Sequence, residues 1–131
     1  MQPEQPASNV RRILIVDDNP DVANMLAANL SAAGHIVSTA ASGTEALRLA
    51  LSSVPDVVLL DIGMSGVNGY DVARNLRDDP DTRGALLIAV TGWAGEGNRQ
   101  RAMEAGFDHH LTKPVEPAEL LSIILGHKAS G

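Results

Sequence analysis

The 131-residue sequence predicts an α/β protein in which helices cover both faces of a parallel sheet. The main observation is a set of three apolar runs, at residues 13–16, 57–60 and 86–90. The runs are continuous rather than alternating, which is typical of strands that are buried on both faces. Helical patterns separate them, so right-handed crossovers would give a doubly wound, three-layer fold of five β–α units.

The first helix follows the first strand and carries its own start and stop signals. Asn19 is a favourable N-cap residue, and Pro20 fits the first helical position because no N–H is needed there. Gly34 ends the helix, and residues 36–40 form a short second strand. The apolar face of this helix is predicted to consist of Val22, Met25, Leu26, Leu30 and Ala33.

The next two helices lie on either side of the third strand in the sequence. Ser42 and Glu45 have the spacing of a capping box, which predicts the start of a second helix. Pro55 lies in the turn before the third strand. A third helix is predicted over residues 69–77, and Pro80 stops it because proline interrupts the helical hydrogen bonds.

The last part of the chain predicts a fourth helix over residues 95–105, closed by Gly106, then a strand at residues 107–112. A fifth helix starts at Pro117 and has more apolar residues than one core-facing stripe needs. This helix is therefore either well buried or contacts a partner through an exposed part. Its apolar residues are Leu120, Leu121, Ile123, Ile124 and Leu125.

The composition excludes several classes of function. The net charge is −6 and no basic patch contains interleaved aromatic residues, which argues against nucleic-acid binding. The chain has no cysteine and no apolar run long enough to span a membrane, so we expect a cytoplasmic protein without a membrane partner. One domain is predicted at residues 11–127, between a flexible tail or linker at 1–10 and a short tail at 128–131.

Charged and hydroxyl side chains stand at the ends of the predicted strands. Asp17 and Asp18 follow the first strand, Asp61 the third, Thr91 the fourth and Lys113 the last. These ends meet at one edge of a parallel sheet, where open α/β folds bind ligands. Crowded carboxylates repel one another unless a cation joins them, and Mg²⁺ with its oxygen ligands fits best. The ammonium and the hydroxyl suit the oxygens of a phosphoryl group.

The sequence at these positions resembles the receiver domain of two-component response regulators, such as the chemotaxis regulators. The resemblance covers residues 11–126 and implies a flavodoxin-like sheet with strand order 2-1-3-4-5. Four stretches carry it, in the order and spacing of the family: ILIVDDN (13–19), VVLLDIGM (57–64), VTG (90–92) and DHHLTKPV (108–115).

The resemblance implies a phosphoacceptor and a metal site. Asp61 matches the aspartate that takes the phosphoryl group from a phosphohistidine on a sensor histidine kinase. Asp17 and Asp18 match the acidic pair that holds Mg²⁺ in the family. Asp61 itself and the backbone carbonyl of Gly63 would complete the protein ligands of the cofactor.

The resemblance also implies a phosphoryl-binding and switching group. Lys113 and Thr91 match the residues that bind the phosphoryl oxygens. His110 stands where the family often has an aromatic ring that turns inward when the threonine moves toward the phosphoryl group. We expect this movement to change the surface formed by the fourth helix, fifth strand and fifth helix. A downstream target or a second copy of the chain would bind that surface.

Further residues flank the site. Gly63 and Trp93 occupy positions that influence the lifetime of the phosphoryl group in the family. Gly63 has no side chain to direct an attacking water, and the large Trp93 side chain would shield the site, so we expect slow loss of phosphate. The other residues predicted to flank the site are Met64, Gly92 and Pro114.

Several alternatives remain open at this stage. The chain is either a stand-alone regulator or the receiver of a hybrid histidine kinase, and its phosphodonor is either a sensor kinase or a phosphotransfer protein. A receiver-like interaction module that does not depend on phosphorylation is the main rival. A phosphatase of the haloacid dehalogenase type is disfavoured because Asn19 stands where its second acid belongs. A flavin-binding role is weaker still, since no Ser/Thr-rich loop follows the first strand.

Overall fold

The computed structural model describes residues 10–64, 68–92 and 96–126 and confirms the predicted architecture. Five parallel strands form one sheet in the order β2-β1-β3-β4-β5. The strands are β1 (Arg12–Val16), β2 (Ile36–Ala40), β3 (Val57–Asp61), β4 (Leu86–Thr91) and β5 (His109–Thr112). The helices are α1 (Pro20–Ala32), α2 (Gly43–Ser53), α3 (Gly69–Asp78), α4 (Glu96–Ala105) and α5 (Pro117–Gly126).

The hydrophobic core consists of two layers, one on each face of the sheet. Every residue of β3 and of β4 is buried, as the continuous apolar runs predict. Alternate side chains point to opposite faces, so Val58 and Leu60 join one cluster and Val57 and Leu59 the other. The first cluster contains residues of α2, α3 and α4, and the second contains residues of α1 and α5.

Side chains cap the helices close to where the sequence predicts. The Asn19 side chain accepts hydrogen bonds from the backbone N–H groups of Asp21 and Val22 at the start of α1. Ser42 Oγ accepts from the N–H of Glu45, 3.1 Å away. The Glu45 carboxylate accepts from the N–H of Ala41, one residue before the N-cap, so the capping box is one residue wider than predicted.

Two helices end in the same hydrogen-bonded turn around a glycine. Gly34 has φ +101° and its N–H donates to the carbonyl of Ser31, while the N–H of His35 donates to Leu30. This pattern is the Schellman motif, which satisfies the last carbonyls of the helix and favours glycine at the left-handed position. The same motif closes α4 at Gly106, where φ is +111°.

The structure corrects three details of the sequence prediction. The last strand begins at His109 rather than at residue 107, because Phe107 is buried and its N–H closes the turn after α4 by donating to Ala102. Met25 is 45% exposed instead of facing the core. Ala33 is likewise exposed, as the C-cap residue of α1. Both residues fall outside the stripe that α1 buries, which consists of Ala23, Leu26 and Leu30.

The fifth helix divides its apolar residues between core and surface. Leu120 and Ile124 are buried, Leu121 and Ile123 are half-buried, and Leu125 is 66% exposed. None of the helices among the described residues is long and apolar enough to cross a membrane. Apart from Val10, the predicted tails lie outside the described residues, as does Gly95, the predicted start of the fourth helix.

Substituting Gly69 tests the close packing that fixes the start of α3. A Cβ atom at this position would lie 2.6 Å from Ile62 Cγ2 and 2.9 Å from Ile62 Cα. We expect Gly69→Ala to lower the free energy of unfolding by about 1–3 kcal/mol, measured by urea denaturation, because the backbone of residue 62 must shift. Gly126→Ala in α5 is the matched control, since its Cβ would meet nothing within 4 Å. Equal stability of the two variants would contradict the packing argument.

The buried His35 predicts a loss of stability in acid. Burial, and then the charge of Arg11, lower the pKa of His35 below its usual value. His35 Nδ1 accepts a hydrogen bond from the N–H of Arg11, which requires the neutral ring. The unfolded chain therefore binds the proton more tightly, so this stabilisation is complete above the ordinary histidine pKa of about 6.5 and is lost as pH falls through the lower folded pKa.

We expect the thermal midpoint of the parent protein to fall between pH 7.5 and pH 5 more steeply than that of His35→Asn. The amide oxygen of asparagine accepts a hydrogen bond but does not titrate. Scanning calorimetry at both pH values measures the difference, and parallel pH profiles of the two proteins would contradict the role of His35.

Candidate functional site

The carboxyl ends of four strands bring the predicted site residues to one edge of the sheet. Asp17 directly follows β1, and Asp61 and Thr91 are the last residues of β3 and β4. Lys113 follows β5, and its backbone N–H donates to the carbonyl of Thr91 at 2.8 Å. The parallel register places Asp61 opposite Val90, so the acid lies at the level of the end of β4.

Three carboxylates form a cluster at this edge. Asp17, Asp18 and Asp61 each offer an oxygen within 4.8 Å of the other two. Asp17 and Asp61 are buried and Asp18 is exposed. Hydrogen bonds orient the two buried acids, because Asp17 Oδ1 accepts from the N–H of Asn19 and Asp61 Oδ1 from the N–H of Gly63, both at 2.9 Å.

A lysine ammonium partly neutralises the cluster. Lys113 Nζ donates a hydrogen bond to Asp61 Oδ2 at 2.7 Å. The Asp61 side chain is only 5% exposed, whereas that of Lys113 is 37% exposed. Burial alone lowers the pKa of Lys113, but the hydrogen bond and the charges of the three acids outweigh it, so that this pKa is raised. The lysine therefore stays cationic at neutral pH.

One ammonium does not balance three acids. Burial raises the pKa of Asp17, and the neighbouring charges of Asp61 and Asp18 raise it further, against the lowering effects of the Asn19 N–H and Lys113. A divalent cation relieves both the repulsion and the cost of burial. The donors are hard carboxylate oxygens, which suit Mg²⁺, so the residues present fit the ion that the sequence predicts.

The structure separates the two histidines of β5. His109 is exposed, while His110 is half-buried and lies opposite Ala89 on β4. His110 Nε2 is buried and has no hydrogen-bond partner among the described residues. Burial, and then the charge of Arg99 on α4, lower the pKa of His110. The neutral ring therefore lies at the strand that follows α4, at the position that the sequence assigns to the switch.

The predicted flanking residues have different surroundings. Met64 is buried in the core layer of α2, α3 and α4, so it supports the loop after β3 rather than lining the site. Gly92 is exposed directly after Thr91, and Pro114 follows Lys113 through a cis peptide bond, which X–Pro bonds tolerate more easily than other peptide bonds do. Trp93 lies outside the described residues.

An apolar groove beside the acids was missing from the sequence prediction. It has a volume of about 420 Å³ and is open to Asp17, Asp61 and Lys113. Its apolar walls come from α1 and from the segment after β5, and include Val22, Met25, Leu26, Pro114 and Val115. Met25 was the clue to this groove in the sequence, because it is an apolar residue outside the stripe that α1 buries. This clue was not sufficient, since the opposite wall comes from a segment about 90 residues later in the chain.

Comparison with known protein families decides the identity of this arrangement. Residues 13–125 match the family described as the response regulator receiver domain. The chain belongs to this family. A receiver domain is a signalling domain of two-component systems and is phosphorylated on an aspartate.

A relative found by sequence comparison supports the assignment. The receiver is 40% identical over 111 residues to the response regulator PleD of Caulobacter vibrioides. The match covers 85% of this chain but only 24% of PleD. It therefore spans about a quarter of the length of that relative.

Two solved structures share the fold of this receiver. The receiver domain of sensor histidine kinase PA1611 from Pseudomonas aeruginosa is 32% identical, with a TM-score of 0.79 and coverage of 89% of this chain and 98% of that chain. It holds a magnesium ion in its active-site cleft. A response regulator from Burkholderia pseudomallei, 27% identical with a TM-score of 0.81, contains a phosphorylated aspartate and a calcium ion. The match covers 87% of this chain and 66% of the Burkholderia chain.

Removal of the lysine charge is expected to strengthen Mg²⁺ binding to this receiver. The Lys113 ammonium lies 2.7 Å from an oxygen of Asp61 and repels any cation that the acids attract. We expect Lys113→Met to bind Mg²⁺ roughly tenfold more tightly at pH 7.5 in isothermal titration calorimetry, as Coulomb energies at this range allow. Arg74→Met is the matched control, because Arg74 pairs with Asp71 on α3, outside the cluster. Unchanged or weaker binding by Lys113→Met would show that the two cations do not compete.

Proposed function

We propose that Asp61 accepts a phosphoryl group from a phosphohistidine of a sensor histidine kinase or a phosphotransfer protein. One observation carries the proposal: a nearly buried carboxylate, held by Lys113 at 2.7 Å, is clustered with two further acids at the mouth of a groove. A structural role alone does not explain three acids with a single lysine, because their mutual repulsion is unfavourable without a cation.

In the proposed transfer, an oxygen of Asp61 forms a bond to phosphorus and the P–N bond of the phosphohistidine breaks. The imidazole nitrogen keeps the electron pair of that bond and takes up a proton from solvent. Asp61 becomes an acyl phosphate, a labile group that suits a transient signal. Lys113 and the hydroxyl of Thr91 would bind the phosphoryl oxygens, since this type of transfer needs positioning and charge neutralisation more than covalent assistance.

Mg²⁺ would be held by the carboxylates of Asp17, Asp18 and Asp61 and by the backbone carbonyl of Gly63. When bound, it neutralises negative charge on the phosphoryl oxygens and on the acids. Asp17 is already oriented for this role by the N–H of Asn19, and Asp61 by the N–H of Gly63. The exposed Asp18 leaves the cluster open to water and to an entering ion.

The groove favours a protein as the phosphodonor. Its walls are apolar, and the exposed Met25 lies at its α1 side. A helix that presents a phosphohistidine among apolar residues would fill this groove and bring phosphorus to Asp61, as in other helix-in-groove contacts. The absence of cysteine fits a reducing compartment, and we place the reaction in the cytoplasm.

Phosphorylation would then change the surface formed by α4, β5 and α5, which we call the output face. The added charge of roughly −1.5 to −2 at Asp61 attracts Lys113 and the hydroxyl of Thr91. Because the backbone N–H of Lys113 is bonded to the carbonyl of Thr91, the ends of β4 and β5 respond together. The half-buried His110 would complete the switch between β5 and α4.

The output face has the composition of a binding surface for a downstream target or a second copy of the chain. Met103 of α4 is 45% exposed and Leu125 of α5 is 66% exposed, and His109 of β5 is also at the surface. Apolar side chains at the surface often mark contacts with partners. A change in the position of α4 would alter how these side chains meet a partner.

The environment of Asp61 favours slow loss of the phosphoryl group. Gly63 is exposed and has no side chain, and a Cβ at this position would lie 3.4 Å from Asp61 Oδ1. No polar side chain is therefore available at residue 63 to direct a water molecule at phosphorus. The large side chain of Trp93 would further shield the phosphoryl group from water.

Intact-protein mass spectrometry after incubation with Mg²⁺ and acetyl phosphate tests the proposed function. We expect one added phosphoryl group on the parent and none on Asp61→Asn, because the amide is not a nucleophile for this transfer. Omission of Mg²⁺ should prevent the modification. Asp21→Asn is the matched control, since Asp21 is an exposed acid of α1 outside the cluster, and it should be modified like the parent.

The same measurement distinguishes the main alternative. A parent protein that gains no mass with acetyl phosphate or with a phosphorylated histidine domain would instead be a receiver-like interaction module independent of phosphorylation. Modification of Asp61→Asn to the same extent as the parent would place the acceptor at another residue.

A further inference from the structure

Arg77 at the end of α3 uses its whole guanidinium group to join three segments of the chain. Its five N–H donors are all engaged. Nε and Nη2 donate to the carbonyl of Gly106 at 2.9 and 2.6 Å, and Nη2 also donates to Asp108 Oδ2 at 2.9 Å. Nη1 donates to the carbonyls of Arg83 and Ala85 at 2.6 and 2.7 Å. The side chain is only 25% exposed, so water competes weakly for these acceptors.

These contacts hold the C-terminal end of α4. The helix closes with a Schellman motif, in which the N–H of Gly106 donates to Met103 and the N–H of Phe107 donates to Ala102. Arg77 binds the outer side of this motif through the carbonyl of Gly106. A Cβ on Gly106 would lie 2.8 Å from Arg77 Cγ, so the turn and the arginine stem are also in close contact.

Asp108 extends the attachment to the sheet. Its Oδ2 accepts from Arg77 and also from the backbone N–H of Leu87 in β4, both at 2.9 Å. The N–H of Asp108 donates to the carbonyl of Leu87 at 2.7 Å. The turn after α4 is therefore connected to α3 through Arg77 and to β4 through Asp108.

A second described contact between α3 and α4 lies about one turn before the C-terminal end of α4. There Arg101 lies over the ring of Tyr70, with the guanidinium carbon 4.9 Å from the ring centroid. A cation–π contact at an exposed position is weaker than a set of five hydrogen bonds from a charged group. The N-terminal end of α4 is the one connected to Thr91 in the chain, through Gly92 and a short segment.

We infer that Arg77 is the positioning residue that fixes the C-terminal end of α4. A displacement that starts at Thr91 then tilts the N-terminal end of α4 about a fixed turn, instead of sliding the whole helix. The inference rests on the proposed function, because it concerns how the phosphoryl group on Asp61 reaches the output face. It adds α3 to the elements that determine that change.

Hydrogen exchange with mass spectrometry tests the inference on the full chain. Formation of a beryllium fluoride adduct at Asp61, with Mg²⁺ present, stands in for the phosphorylated form and is checked first on the intact protein. In the parent we expect the adduct to change exchange at residues 96–101 and to leave residues 102–108 unchanged. In Arg77→Lys, one ammonium cannot reach all four acceptor groups. We expect the amides of Gly106 and Phe107 to exchange about tenfold faster and the adduct to change exchange along the whole helix.

Two control variants separate positioning from general loss of stability. Arg74→Lys alters an exposed arginine on the same helix and should keep the pattern of the parent. Asp108→Asn keeps an oxygen acceptor but removes the charge, and should loosen residues 106–108 less than Arg77→Lys does. Unfolding by urea identifies any variant whose exchange rises everywhere.

The outcomes distinguish the proposed phosphorylation of Asp61 from the inferred role of Arg77. A parent that forms no adduct would overturn the proposed function, as would an adduct that also forms on Asp61→Asn. An adduct that changes both ends of α4 equally in the parent would overturn the inference while leaving the proposed function in place. So would an Arg77→Lys variant with the same exchange pattern as the parent.

Discussion

The burial of β3 and β4 on both faces determines where Asp61 and Thr91 lie, and the neighbouring strands bring the other site residues to the same edge. Each apolar residue of these strands packs into one of the two core layers, and the first polar side chains appear only where the layers end. A shift of β3 by one residue would draw Asp61 into the apolar interior, and burying a carboxylate there is strongly unfavourable. The register that fills the core is thus also the register that presents Asp61 beside the end of β4.

Backbone N–H groups and one lysine compensate part of the negative charge of the acids at this edge. Backbone N–H groups hold one oxygen each of Asp17 and Asp61, and Lys113 holds the other oxygen of Asp61. Burial, and then the negative charges of Asp61 and Asp18, raise the pKa of Asp17, and a cation would relieve both effects. Because Lys113 Nζ is hydrogen-bonded to Asp61, the proposed metal ion and phosphoryl group would have to share or displace that contact. The same residue therefore serves the resting cluster and the proposed phosphorylated form.

The described contacts that hold α4 are strongest at its C-terminal turn, and the position of that turn explains them. Its C-terminal turn lies near the amino ends of β4 and β5, where Arg77 and Asp108 supply ionic hydrogen bonds. Its first residue, Glu96, follows Thr91 by five positions in the chain. A firm attachment of α4 far from the chemistry would allow the proposed change at Thr91 to become a directed movement of the helix.

The helices and strands and their order along the chain can be predicted from the sequence, because the signals for them are local. The continuous apolar runs, the Asn19 and Ser42 caps and the glycines that end α1 and α4 all act within a few residues of their own position. The site acids were predictable for a related reason, since parallel strands must bring their carboxyl ends together. The resemblance to receiver domains then supplied the strand order and the expected roles of these residues.

Contacts between groups that are distant in the sequence appear only in the folded structure. The contact of Lys113 with Asp61, the groove between α1 and the segment after β5, and the four acceptor groups of Arg77 each join parts of the chain with no shared local pattern. Met25 and the last strand were predicted incorrectly because helical spacing and apolar runs do not show which neighbour arrives to cover a side chain. Local propensity is a property of the sequence, whereas burial and pairing are properties of the packed molecule.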